Sequence, residues 1–199
     1  MTLQILLSVV LGIIFGYIMT PEMLIGNIDF VIDVGLCLLL FFVGIDIGGN
    51  KSILKDIREY GYKIILVPFM IVIGTLFGSI IASFLINLSL IESAAVGAGL
   101  GWYSLSAIEL SKYSAKLGTI AFLANVLREI TSIIMIPLIA KHIGYIETVA
   151  AAGATSMDTA LPVITKATNS SISVISFFSG LILTSIVPIL VPLIIGLNF

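Results

Sequence analysis

Apolar runs of helix length follow one another along almost the whole chain. The sequence is 59% hydrophobic and 10% charged, whereas an ordinary soluble domain has about 25% charged residues. Backbone polar groups inside a bilayer must be paired internally, and runs near 20 residues are typical of spanning helices rather than of strands. We therefore predict an all-α polytopic membrane protein with a single transmembrane domain over residues 1–199. The predicted spanning runs are 3–19, 30–49, 62–86, 118–140 and 172–197.

Two further apolar segments are interrupted at their centres. In residues 92–113 the glycines at 97, 99 and 101 loosen or break a helix. In residues 147–166 a polar stretch runs from Gly153 to Pro162. Paired interrupted segments are the best sequence indication of the binding site of a secondary transporter. Residues 94–98 and 150–154 are also similar, so we predict an internal repeat in which 62–113 corresponds to 118–166.

The interrupted segments leave the topology open. Each half has about ten residues, or ~15 Å of helix, which fits half of a crossing or one arm of a hairpin. The chain therefore has either five full spans plus two broken or re-entrant segments, or seven spans. Basic residues between 51 and 63 predict a cytoplasmic loop. Both arrangements then place the N-terminus on the cytoplasmic side of the membrane and the C-terminus on the opposite side.

Two acids lie where water should not reach. Glu129 is at the midpoint of the run 118–140, and Asp158 is in the interruption of 147–166. A carboxylate at the bilayer centre costs about 2.5–3.5 kcal/mol on insertion scales, and such groups are functional by default. We therefore predict that both acids bind a substrate or an ion.

Other candidate residues surround these acids. Asn125, Arg128 and Ser132 share a helix face with Glu129, because their spacing is three and four residues. The alternative for this face is an ion pair between Arg128 and Glu129, or a pair with another helix, that holds the bundle together. The candidates at the two interruptions are Trp102, Tyr103 and Ser104, and Thr155, Ser156, Asp158 and Thr159. Their alternatives are ordinary packing of the aromatic rings, and a packing kink whose hydroxyls bond back to the helix.

The charges of the candidate site indicate a class of substrate. Two acids and Arg128 sum to −1 when ionised, and a basic amino acid with net charge +1 would neutralise them. In this hypothesis the acids hold the ammonium groups, and either Arg128 or a half-helix N-terminus holds the carboxylate.

Several function classes are disfavoured by composition. The net charge of −2 and the pI near 5.2 argue against a nucleic-acid partner. One histidine, His142, and one cysteine, Cys37, supply no metal set. We find no nucleophile–base pair and no cofactor motif, so we expect neither an enzyme nor a cofactor.

Three motifs are similar to those of a known family. Gly-Leu-Gly-Trp-Tyr-Ser at 99–104, Asn-Val-Leu-Arg-Glu at 125–129 and Ala-Thr-Ser-Met-Asp-Thr-Ala-Leu-Pro at 154–162 resemble the lysine exporter (LysO) family. The resemblance implies export of L-lysine and of analogues such as thialysine across the inner (cytoplasmic) membrane, with Glu129 and Asp158 as the acid pair of the mechanism.

The resemblance covers the C-terminal two-thirds of the full-length family form. It implies a split form without the N-terminal membrane portion, so that a separate small membrane subunit or homo-oligomerisation would supply the rest. We expect proton antiport at a midplane site. The alternatives are a sodium- or proton-coupled carrier of an organic anion, in which Arg128 would bind substrate, and a channel or structural membrane subunit.

Overall fold

The computed structural model describes residues 53–198, together with positions 7, 11, 14–18, 34, 38, 41 and 45. Most of the predicted spans 3–19 and 30–49 lies outside the described residues. Among those described, helices are connected by short turns and no strand is found, which confirms the predicted all-α class. The α-helices are α1 Ile53–Ser83, α2 Leu90–Gly97, α3 Tyr103–Ser111, α4 Ala115–His142, α5 Glu147–Ala152, α6 Leu161–Ala167 and α7 Ser170–Ile195.

Three of these helices are long and apolar enough to cross a membrane. They are the Ile65–Ser83 part of α1, the whole of α4 and the whole of α7, in agreement with three of the predicted runs. Helix α1 begins at Ile53 rather than at residue 62. The charged stretch before residue 62 extends the helix because Lys, Arg and Glu have high helix propensity.

Local capping explains where several helices begin. Ser89 and Glu92 form a capping box at the start of α2, so Glu92 is a helix-start acid as its position predicts. The side chains of Ser114 and Asn169 accept hydrogen bonds from backbone N–H groups in the first turns of α4 and α7. Each cap pairs a donor that the first helical turn leaves free.

Both predicted interruptions are present. Residues 98–102 separate α2 from α3, and a 3-10 turn, Gly153–Met157, followed by a short connection separates α5 from α6. The order of a long helix followed by two short ones therefore occurs twice, as α1–α2–α3 and as α4–α5–α6.

Helix α7 packs against both interrupted segments. It contacts α1, α2, α3 and α6 as well as the 3-10 turn. The apolar core is formed at these contacts and includes Leu100, Ile164, Leu183 and Val187. Gly180 is needed for the close approach of the turn, because a Cβ there would lie 2.5 Å from the backbone nitrogen of Met157.

The ends of the interrupted segments lie at different ends of the long helices. Helix α2 packs beside the C-terminal part of α1, where the hydroxyl of Ser93 donates to the carbonyl of Ser79. Ser111, in the last turn of α3, packs against Gly118, in the first turns of α4. Ile146, just before α5, shares a pocket with α1 residues between Tyr62 and Thr75, which precede Ser79 in that helix. Asn169, just after α6, shares a pocket with Lys141 and other residues at the end of α4.

Candidate functional site

The two interruptions touch each other. The backbone N–H of Ala154 donates to the carbonyl of Leu100 across 2.8 Å. Leu100, Gly101 and Gly153 adopt positive φ angles of 51°, 108° and 66°. Glycine adopts this region at little steric cost, whereas a leucine there is unusual. The backbones therefore meet in conformations that the clustered glycines make accessible.

Asn125 attaches the first interruption to α4. Its Oδ1 accepts from the N–H of Gly101 at 2.8 Å, and its Nδ2 donates to Ser106 Oγ at 3.3 Å and to the carbonyl of Ala121 at 2.9 Å. The side chain is 3% exposed. A buried amide whose groups are all paired positions the backbone that it contacts.

A pair of serines attaches the second interruption to α7. Ser156 Oγ donates to the carbonyl of Ser176 at 3.0 Å, and Ser176 Oγ donates to the carbonyl of Ser156 at 2.7 Å. Both residues are completely buried. The reciprocal bonds pair a carbonyl of the 3-10 turn that has no helical partner.

A cavity of ≈ 300 Å³ lies where the interruptions meet α4 and α7. It contains the two intramembrane acids, and no Lys, Arg or His is among its described lining residues. The lining residues are Gly101, Trp102, Tyr103, Ser104, Glu129, Ala154, Thr155, Met157, Asp158, Thr159 and Thr184.

The two acids share one hydroxyl group. Thr159 Oγ1 lies 2.5 Å from Glu129 Oε1 and 3.3 Å from Asp158 Oδ1. The backbone N–H of Thr159 also donates to Asp158 Oδ1. Glu129 is carried by the long helix α4, whereas Asp158 follows the 3-10 turn. The cavity wall thus contains one carboxylate from a continuous helix and one carboxylate from an interruption.

Arg128 lies beside this cavity without lining it. Its Nη2 donates to the carbonyl of Ala150 at 3.2 Å and its Nε to that of Ala151 at 3.5 Å. These carbonyls belong to the last turn of α5, where the helix dipole favours a cation. Within residues 53–198, Arg128 forms no ion pair with Glu129, so the predicted alternative of a pair between these neighbours is wrong.

The cavity separates the predicted site residues into two groups. Those that line it are Trp102, Tyr103, Ser104, Glu129, Thr155, Asp158 and Thr159. Those that pack around it are Asn125, Arg128, Ser132 and Ser156. Ser132 is 3% exposed, and its hydroxyl donates to the backbone carbonyl of Glu129 at 2.8 Å.

The hydroxyl of Thr184 lines the cavity but had no place in the sequence-based site. Thr184 Oγ1 donates to the carbonyl of Gly180 at 2.8 Å and lies 3.6 Å from Met157 Sδ. The signal for Thr184 was a Thr-Ser pair in the middle of a mostly apolar run. Glu109, at the end of α3, pairs with Lys112 at 2.7 Å outside the cavity.

The described helices have two interruptions that bring two acids to one cavity. This arrangement is typical of membrane transport proteins. The model of the lysine exporter LysO family matches residues 6–195. The chain therefore belongs to this family.

Two curated relatives agree with the family match. A protein of Haemophilus influenzae provisionally named a lysine exporter is 29% identical over 191 residues, which cover 94% of each chain. The lysine exporter LysO of Escherichia coli is 34% identical over 157 residues, which cover 78% of this chain and 52% of that protein. No solved structure matches the chain.

Proposed function

We propose that this protein exports L-lysine, and analogues such as thialysine, from the cytoplasm in exchange for protons. The observation that carries the proposal is the cavity in which Glu129 and Asp158 contact the same hydroxyl. The family and the names of the two relatives support lysine as the substrate.

The charge of the cavity favours a cationic substrate. Its described lining carries two acids and no basic side chain. Arg128 is bonded to the carbonyls of α5 instead. A cavity with this lining attracts ammonium groups and disfavours a substrate whose net charge is negative. This arrangement argues against the organic-anion carrier, in which Arg128 would bind the substrate.

The carboxylate of lysine still needs a partner. The first turn of α3 supplies Tyr103 and Ser104 to the cavity lining, and Trp102 at its N-cap makes no side-chain capping bond. Backbone N–H groups at a helix N-terminus attract carboxylates. We assign the substrate carboxylate to this turn rather than to Arg128.

Proton exchange solves an energetic problem of cation export. Moving one positive charge out against an inside-negative potential costs about 2.3 kcal/mol per 100 mV. Inward movement of one proton for each lysine removes this cost because no net charge crosses. Glu129 and Asp158 would then alternate between lysine and a proton, with the two ligands competing for the same oxygens.

We infer that both interrupted segments are re-entrant hairpins. Contacts of α2 and α3 with the end of α1 and the start of α4 support one hairpin. Contacts at Ile146 and Asn169 support a second hairpin that enters from the opposite side. With the predicted spans 3–19 and 30–49 the chain has five full spans, and the basic residues place the start of α1 in the cytoplasm.

This arrangement supports an inverted repeat. With these hairpins, helices α1 and α4 would run in opposite directions, and each would be followed by one hairpin. Inverted repeats that place interrupted segments at the midplane permit alternating access by movement of one repeat against the other.

We also propose that the complete exporter contains more than one chain. The chain matches 52% of the length of the Escherichia coli relative. Much of the apolar surface of α1 is exposed, including Ile65, Phe69 and Phe77. A separate small membrane subunit or a second copy of this chain is the expected partner.

Counterflow of labelled lysine in proteoliposomes tests the proposed function. We expect wild-type protein to exchange lysine, and Glu129→Gln and Asp158→Asn to lose most of this exchange. Glu109→Gln is the matched control, because Glu109 is an acid outside the cavity. Near-normal exchange by both cavity variants at matched amounts would refute the proposal.

The same measurement separates the alternatives. A channel would give lysine flux that neither saturates nor responds to a pH gradient. A structural subunit would lose abundance rather than activity when Glu129 is replaced. The assay is run with and without a candidate small subunit, because the partner is itself part of the proposal.

A further inference from the structure

Thr159 occupies a position that neither the family match nor the substrate hypothesis explains. Its hydroxyl lies within hydrogen-bonding distance of a carboxylate on each of two structural elements. One of these, Glu129, is on the continuous helix α4. The other, Asp158, is on the interruption that follows the 3-10 turn.

A threonine hydroxyl has one hydrogen and can accept two hydrogen bonds. When both acids are ionised it can donate to only one of them, and the other has no hydrogen from this group. When one acid is protonated, its own O–H donates to Thr159 Oγ1, and the threonine donates to the remaining carboxylate. The group of three is therefore fully paired when it carries one extra proton.

The other ionisable groups near this hydroxyl are few. Tyr103 of α3 is in the same cavity lining. Arg128 of α4 faces the carbonyls of α5. Helix α7 contributes Thr184 to the described lining. The hydroxyl of Thr184 does not titrate at physiological pH.

We propose that Thr159 relays a proton between Asp158 and Glu129 during the transport cycle, an inference that rests on the proposed proton exchange. In the step, the O–H bond of protonated Asp158 breaks and its proton bonds to Thr159 Oγ1. The original hydroxyl proton of Thr159 passes to a carboxylate oxygen of Glu129. One proton has then moved from the interruption to α4, and the threonine is again a neutral hydroxyl.

In this relay the two carboxylates and the hydroxyl of Thr159 have different roles. The carboxylates bind lysine or hold the proton, and the hydroxyl lets the proton move from one carboxylate to the other. Lysine–lysine exchange requires substrate binding and alternating access but no proton transfer. Net transport driven by a pH gradient requires all three. Removal of the hydroxyl should therefore affect the two kinds of transport differently.

The experiment compares Thr159→Val, which keeps the shape but has no hydroxyl, with Thr159→Ser, which keeps the hydroxyl. Each variant is reconstituted and assayed for labelled lysine counterflow and for lysine transport driven by an imposed pH gradient. For Thr159→Val we expect gradient-driven transport to fall about tenfold further than counterflow, which corresponds to roughly 1.4 kcal/mol. For Thr159→Ser we expect both activities within about threefold of wild type.

Each other outcome has a definite meaning. Full gradient-driven transport by Thr159→Val overturns the relay. Equal loss of both activities in that variant also overturns it, because Thr159 would then only fasten the interruption to α4. Failure of Thr159→Ser to retain gradient-driven transport contradicts a role for the hydroxyl. Absence of lysine counterflow in the wild type contradicts the proposed function itself, and counterflow without any gradient response contradicts proton coupling.

Discussion

The backbone N–H of Ala154 donates to the carbonyl of Leu100 across 2.8 Å, and this bond joins the two interruptions directly. The contact requires the two backbone segments to approach each other without side chains between them. Gly101 has a φ of 108°, which residues with a side chain rarely adopt, and a Cβ at Gly153 would overlap with Leu100. The glycines are therefore needed at the point where the cavity forms.

Replacement of Gly153 by alanine should destabilise the protein. Its φ of 66° and ψ of −130° are unfavourable for a residue with a side chain, which costs about 1–3 kcal/mol. The new Cβ would also lie 2.7 Å from Arg128 Nη2. We expect a lower midpoint of thermal unfolding in detergent. Gly78→Ala is the control, since a Cβ there meets nothing within 4 Å, and an equal effect of both changes would contradict this explanation.

Replacement of Asn125 by leucine should loosen the first interruption. The change removes the acceptor of the Gly101 N–H and leaves a buried donor unpaired, at a cost of about 1–3 kcal/mol. We expect reduced thermal stability together with reduced lysine exchange. Unchanged stability would show that Asn125 does not hold the interruption in place.

Arg128 should contribute to structure more than to substrate affinity. Arg128→Gln removes the charge at the carbonyls of Ala150 and Ala151, whereas Arg128→Lys keeps it. We expect Arg128→Gln to lower the thermal unfolding midpoint and Arg128→Lys to restore part of the difference. The KM for lysine in counterflow should change only a few-fold in folded protein, since Arg128 is not among the residues that line the cavity. A folded Arg128→Gln variant without any lysine exchange would instead favour a substrate-binding arginine.

Ser156 and Ser176 should be energetically coupled. Each hydroxyl donates to the carbonyl of the other residue, and buried hydrogen bonds in membrane proteins are worth about 0.6 kcal/mol on average and up to about 1.7. A double-mutant cycle of the two alanine variants, measured by unfolding in SDS mixed micelles, should give coupling of that size. Ser185→Ala, an exposed serine that bonds to Leu181 of its own helix, provides the uncoupled comparison; additive effects of Ser156→Ala and Ser176→Ala would be evidence against the paired bonds.

The helices and their interruptions were predictable because the order of apolar, polar and glycine residues along the sequence determines them. Length and hydropathy are sufficient to locate α4 and α7, and glycines together with polar residues mark the interruptions. Whether each interrupted segment crosses the membrane or returns was not predictable, because ten apolar residues fit a half crossing and a hairpin arm equally well. The choice depends on the neighbours of residues such as Ile146 and Asn169, which are distant in sequence from the residues of α1 and α4 that share pockets with them.

The acids were predictable and their neighbours were only partly so. A carboxylate in an apolar run is costly, so Glu129 and Asp158 stand out in the sequence. Helical spacing places Asn125, Arg128 and Ser132 near the face of Glu129, but which of them reaches a cavity depends on where α3 and α5 pack. Thr184 was missed because hydroxyls in apolar helices commonly bond to their own backbone, as Thr184 also does.

The hydroxyl of Thr159 also fixes the position of the second interruption. Its bond to Glu129 connects this interruption to α4, next to the bond between Ala154 and Leu100. In the proposed cycle, an ammonium group at Glu129 would compete with this hydroxyl for the same oxygen. Filling the site would therefore weaken the attachment of the interruption to α4, so that the cargo would itself release one wall of the cavity that holds it.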